Sequence, residues 1–157
     1  MQTLKEAAEA FLNLRYIAVT GVSSTNVDAA NFIFRKLRDS GHEVFPVNPR
    51  AAEVEGRTCY PSLNAIGSKV EGVVIASPPA SAEAIVRECS ELGINWVWMH
   101  RSIGEGSYSE EAARLAREKG INLIPTGCPM MFCGPVDFPH KCMRWLFELT
   151  GRLPRTV

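Results

Sequence analysis

Hydrophobic positions along the chain alternate between two periods. From Thr3 to Leu14, the side chains of Leu4, Ala7, Ala8, Phe11 and Leu12 fall on one helical face, and Thr3 with Glu6 has capping-box spacing. Tyr16 to Thr20 is a short continuous apolar run closed by Gly21, the pattern of a strand buried on both faces. Asp28 to Ser40 predicts a helix with Ala29, Phe32, Ile33 and Leu37 inward and Gly41 as its stop, and Glu43 to Val47 predicts the second strand. After a connection punctuated by Gly and Pro come a strand from Gly72 to Ala76, a helix from about Ser81 to Leu92 closed by Gly93, and a strand from Ile94 to Met99. Ser107 and Glu110 predict the cap of a helix ending near Lys119, and Ile121 to Ile124 the last strand. Asp137 caps a final helix over Pro139 to Thr150, with Gly151 behind it.

This alternation predicts an α/β fold with right-handed crossovers: a doubly wound parallel sheet, Rossmann-like, covered on both faces. No repeat or linker divides the chain, so residues 1–157 are expected to form one domain with an N-terminal helix and a C-terminal helical extension. Ligands of such sheets bind at the carboxyl ends of the strands. The residues standing there are Gly21 to Asn26, Asn48-Pro49-Arg50, Ser77-Pro78-Pro79, His100-Arg101-Ser102 and Thr126-Gly127-Cys128-Pro129. They are small, polar, proline-rigidified or cationic.

The first loop offers Gly21, Val22, Ser23, Ser24 and Asn26 ahead of a helix, where backbone N–H groups and a dipole end suit a phosphate. Ser23 and Asn26 stand where a G-x-G-x-x-G fingerprint would carry glycines, so the dinucleotide motif is absent; a plain strand-to-helix turn is the competing reading. After the second strand, Arg50 replaces the acidic residue usual for NAD and suits a phosphate on the ribose, which NADP and coenzyme A both carry. Ser77, Pro78 and Pro79 form either a flat apolar wall or simple punctuation before a helix.

Composition narrows the partners. Seventeen basic and seventeen acidic residues cancel, 46% of residues are hydrophobic and 22% charged, so nonspecific binding to nucleic acid or to an anionic membrane has no electrostatic basis. No apolar stretch is long enough to cross a bilayer and the N-terminus has no signal-peptide pattern, which leads to the expectation of a cytoplasmic protein.

The run Ile17 to Ser23, the segment Val44 to Pro49, Cys59-Tyr60-Pro61-Ser62-Leu63 and the turn Ser77-Pro78-Pro79 together resemble the small stand-alone CoA-binding proteins, which are similar to the N-terminal CoA-binding domain of the succinyl-CoA synthetase alpha subunit. The resemblance runs from Leu14 to Cys128 and departs at Val22 and at His100-Arg101. It implies coenzyme A as the cofactor, with phosphates on the loop from Gly21 to Asn26 and the 3′-phosphate near Arg50. Ser77 to Pro79 and Met99, His100 and Arg101 would line the cofactor. The synthetase needs a phosphorylatable histidine on a second domain for which this chain has no room, so the resemblance implies binding of CoA or an acyl-CoA without catalysis. The alternatives are an NADP-dependent oxidoreductase, for which no Tyr-x-x-x-Lys pair is present, and a thiol module acting through Cys128.

Five cysteines without an export signal read as free thiols. Cys128, Cys133, His140 and Cys142 lie close in sequence but lack zinc-knuckle spacing, and no metal is assigned. Cys128 stands at the expected ligand edge, where a cation such as Arg101 would lower its pKa and favour a mixed disulfide with CoA. Trp96, Trp98 and Trp145 read as core or interface packing, and the apolar patch Met130-Met131-Phe132 either covers the pantetheine arm or makes a dimer contact, which leaves a homodimer or an unidentified protein partner open.

Overall fold

The computed structural model describes residues 2–67, 69–104 and 106–157. Five strands, β1 (Tyr16–Thr20), β2 (Glu43–Val47), β5 (Gly72–Ile75), β6 (Trp96–Met99) and β7 (Asn122–Ile124), form one parallel sheet in the order β2-β1-β5-β6-β7. The chain winds outward from β1 to β2, returns past β1 to β5 and winds the other way. The switch point of this doubly wound sheet therefore lies between β1 and β5, the place where such folds open a crevice.

Alternate residues of each strand feed two cores. Ile17, Val19, Val74 and Trp98 face the layer of α1 (Leu4–Leu12), α2 (Ala29–Asp39) and α6 (Phe138–Leu149). Ala18, Val73, Ile75, Val97 and Met99 face α4 (Ala82–Leu92) and α5 (Glu110–Glu118). Strands apolar on both faces are what a sheet covered on both sides requires.

The helix ends follow the expected chemistry at most positions. Thr3 and Glu6 form the reciprocal capping box, Asp137 accepts from the His140 amide, and Gly93 closes α4 in the left-handed region at φ +71°. Two expectations are corrected. The buried stripe of α2 is Ala30, Ile33, Phe34 and Leu37, one residue around from the predicted face. Ala29 and Phe32 are exposed, with the Arg35 guanidinium 5.6 Å from the Phe32 ring centre. The cap of α5 is Ser109, whose Oγ accepts from Ala112, while Ser107 is buried and donates its amide to the His100 carbonyl.

The connection after β2 contains structure that its composition concealed. Strands β3 (Glu53–Val54) and β4 (Arg57–Thr58) make a hairpin through Glu55 at φ 51° and Gly56 at φ +74°, the geometry of a type I′ turn. Arg35 of α2 clasps the Glu55 carboxylate and holds the hairpin against the domain. The chain leaving it runs beside β2, with Tyr60 donating to the Pro46 carbonyl and accepting from the Asn48 amide, and then turns into the short helix α3 (Leu63–Ile66). The hairpin thus delivers Pro61, Ser62 and Leu63 to the carboxyl edge of the sheet.

Candidate functional site

A groove of about 480 Å³ opens at the switch point. Thr20, Gly21, Asn48, Pro49, Arg50, Ser77 and Pro78 border it, joined by Pro61 to Leu63 from beyond the hairpin and by Ser81, Ile85 and Glu88 from α4 and the turn leading into it. The residues expected after three separate strands are therefore brought together on one cleft.

One part of its border is a backbone-to-backbone contact. Gly21 has φ +85° and gives its amide to the Val47 carbonyl; a Cβ placed on it would stand 2.8 Å from the Ala76 oxygen and the Ser77 nitrogen. Only glycine satisfies both the dihedral and the approach.

The floor is a directed chain of hydroxyls. Ser81 Oγ donates its one proton to the Pro78 carbonyl (2.8 Å), so at 2.8 Å it accepts from Ser77. Ser77 must then accept from Thr20 Oγ1 (2.9 Å), which in turn accepts the Ala76 amide (3.3 Å). The hydroxyl protons of Thr20, Ser77 and Ser81 are all used within the protein, so these three offer the groove oxygen lone pairs. Such a floor takes a ligand's hydrogen-bond donors, while the walls of Pro49, Pro61, Leu63, Pro78 and Ile85 take its apolar surface.

Asn48 holds two loops in fixed relation. Its Nδ2 donates to the Val22 carbonyl (2.9 Å) and its Oδ1 accepts the Arg50 amide (2.9 Å), so both ends of the amide are engaged and the exposed Arg50 is presented at the rim. Asn48 acts by positioning. The guanidinium fork of Arg50 is the group suited to a phosphoryl oxygen.

The first loop satisfies more of its own polar groups than its sequence suggests. Buried Asn31 of α2, which the spacing marks only as one residue of a helix, grips Ser23 on both sides, accepting its amide (3.0 Å) and donating to its carbonyl (2.9 Å). Ser23 Oγ accepts the Thr25 and Asn26 amides at 3.2 and 3.0 Å. The Asp28 carboxylate caps α2 by accepting from Ala30 and sets a negative charge at the positive dipole end. These bonds occupy the Thr25, Asn26 and Ala30 amides, which leaves a phosphate on this loop fewer donors than the sequence pattern suggests. Val22 is fully buried, and Ser24 and Asn26 are exposed.

The remaining expected residues lie elsewhere. Pro79 opens the single 3₁₀ turn that leads into α4. Met99 is fully buried in the α4/α5 core, and His100 is buried with its pKa lowered by burial, against an opposing pull from the Asp28 charge. Arg101 borders a neighbouring cavity of about 460 Å³ with Thr126, Phe147 and Arg152. Cys128 is buried in the other core. Burial pushes its thiol up to about 11, which corrects the expectation that Arg101 acidifies it and removes the ground for an activated thiol. Cys133 points at Ser40 Oγ (3.3 Å), His140 Nδ1 at the Asp137 carboxylate, and Cys142 outward. Among the described residues no three His, Cys, Asp or Glu side chains converge on a metal position. Among the same residues no helix is long and apolar enough to cross a membrane.

Comparison with known proteins adds a family. The family model described as "CoA binding domain" matches residues 15–133. The alpha subunit of an ADP-forming acetate–CoA ligase II from Pyrococcus furiosus is 31% identical over 126 residues, which span 75% of this chain and 27% of that protein. The chain thus spans about a quarter of that relative's length. An uncharacterized protein from Bacillus subtilis, YneT, is 26% identical over 123 residues, 78% of this chain and 88% of its own. A solved hypothetical protein from Pyrococcus horikoshii superposes with a TM-score of 0.76 at 30% identity, covering 84% of this chain and 91% of that one.

Proposed function

The chain belongs to the CoA-binding domain family, and on that premise we propose that it binds coenzyme A or an acyl-CoA, without catalysing a reaction on it, in the groove between β1 and β5. The observation that carries this reading is the groove itself, with Arg50 set at its rim by the Asn48 clamp. A guanidinium there suits the 3′-phosphate of the adenosine end, and the lone-pair floor of Thr20, Ser77 and Ser81 suits a ribose hydroxyl or an exocyclic amine. The proline and aliphatic walls suit a ring or the pantetheine arm. The groove also carries charge. Among the described residues its charged groups are Arg50 and Glu88, and a Glu88 oxygen is already occupied by the Asn64 amide at 2.7 Å.

Isothermal titration against CoA, dephospho-CoA, NADP and NAD tests the proposal. CoA should bind, dephospho-CoA more weakly, and the loss of Arg50 in an Arg50→Ala variant should weaken CoA about tenfold while leaving dephospho-CoA unchanged. Heat with NADP and none with CoA would overturn it in favour of a nicotinamide cofactor.

A further inference from the structure

Helix α6 is apolar on two faces. Phe147 is buried against the domain with Met143 packed beside it, yet on the other side Phe138, Trp145, Leu146 and Leu149 remain 77%, 64%, 50% and 65% exposed. A contiguous row of large exposed apolar side chains rimmed by charges marks an interaction surface. The exposed residues are also spaced in a particular way: Phe138, Cys142, Trp145 and Leu149 follow one another at steps of four, three and four, the seam of a two-helix coiled coil.

That seam is complementary to itself when reversed. Around a twofold axis passing between positions 143 and 144, Phe138 meets the partner's Leu149 and Cys142 meets the partner's Trp145, and the same two contacts recur on the other side of the axis. A large side chain stands opposite a smaller one in every layer. The charges favour this direction, although Glu148 is already paired within its own helix with Arg144 Nε at 2.8 Å, so the partner's Lys141 would join that pair. Lys141 and Glu148 flank the seam on one side, seven residues apart, so the antiparallel arrangement brings Lys141 to the partner's Glu148 twice, whereas a parallel arrangement sets Lys141 against the partner's Leu146. Exposed aromatic and leucine side chains of this kind carry on the order of 500 Å² per copy, or about 1,000 Å² for a pair, the area at which specific association begins. The helix is already formed and packed through Phe147, so pairing does not have to order it.

We propose that α6 is a homodimer interface on which a second copy of this chain docks antiparallel. Sedimentation velocity over a concentration series, together with the protection of the otherwise exposed Cys142 from a maleimide as the protein concentration rises, reads the association directly; the other four cysteines are buried. The expected result is a dimer of twice 17.3 kDa in which Cys142 reacts more slowly than in the dilute monomer. Trp145→Glu should raise the dissociation constant about 100-fold with an unchanged far-ultraviolet spectrum. Lys141→Glu and Glu148→Lys should each weaken the dimer about fivefold, and the double reversal should restore it. A chain that stays monomeric throughout, leaving the face to a lipid surface or to another protein, overturns the proposal. So does a dimer indifferent to Trp145→Glu. A dimer lost in Trp145→Glu but insensitive to both charge reversals overturns the antiparallel register.

Discussion

Gly21 and Ser77 meet backbone to backbone: a Cβ on the first would lie 2.8 Å from the amide nitrogen of the second. The contact joins the loops after β1 and β5 at the switch point of the sheet, on the border of the groove. Gly21→Ala therefore carries both a strained φ of +85° and a collision with immobile backbone, and should cost roughly 2–4 kcal/mol. In a chain of this length that lowers Tm by roughly 5–15 °C. Gly41 supplies the control, since it has φ +96° with no atom within 4 Å of the point where a Cβ would stand; Gly41→Ala should cost roughly 1–2 kcal/mol, from strain alone. Equal losses in the two variants would mean that the close approach contributes nothing.

Asn48 couples the other pair of loops, through Val22 on one side and Arg50 on the other. Asn48→Ala removes both hydrogen bonds and should cost about 1–3 kcal/mol in denaturant unfolding. Because it frees the Arg50 loop without removing the guanidinium, it should also weaken CoA while leaving some preference for the 3′-phosphate. Asn48→Asp keeps the acceptor for the Arg50 amide but turns a carboxylate toward the Val22 carbonyl, so it should destabilise by at least as much. Titration with CoA and dephospho-CoA separates loss of position from loss of charge. An Asn48→Ala protein with unaltered affinity would exclude the positioning role.

How far these features are legible in sequence follows from the range of the interactions involved. Strands such as β1 and β5 are apolar on both faces, and periodicity alone marks them. Gly93 and Asp137 act within one turn of their own helices, so their caps are readable. The hairpin at Glu53 to Thr58 is held by Arg35 from a distant helix, and its two-residue strands are too short to carry a pattern. The exposure of Phe32 turns on a rotation of one residue along α2, which is decided by what the sheet and the 3₁₀ turn at Pro129 to Met131 accept rather than by spacing. Ser77, Asn48 and Arg50 can be nominated from their places after strands. The direction of the hydroxyl chain and the grip of Asn31 on Ser23 cannot, because each depends on distances between segments apart in sequence.

The five thiols differ in burial, and chemistry should separate them. Cys142 is exposed, whereas burial pushes Cys128 up to about 11 and Cys89 up to about 12. At dilutions where the chain is monomeric, the native protein treated with a chromogenic disulfide near pH 8 should show one fast thiol, and Cys142→Ser should abolish that phase. The remaining thiols should react only at the rate of local or global opening, and all together once the chain is unfolded. Fast modification of Cys128 in the native state would contradict its place in the core and reopen a thiol-based role.

His100 gives the fold a defined response to acid. Its ring is buried at the end of β6, burial lowers its pKa below the usual 6.5, and the Asp28 charge opposes that effect without cancelling it. Below about pH 6.5 the unfolded chain takes up a proton at this position that the folded chain refuses, so the unfolded state gains relative to the native one as pH falls. Above that value both states are neutral here and the contribution is flat. Carboxylates such as Asp137, held below its ordinary 3.8 by the His140 hydrogen bonds, lose their stabilising contribution only in a more acidic window. Denaturant midpoints measured between about pH 7.5 and pH 5.5 therefore isolate the histidine range. Stability should decline across that interval, and His100→Gln should flatten the decline while keeping a polar group of similar size in the pocket. A variant that loses stability with the same slope as the parent would show that the proton is taken up somewhere other than His100.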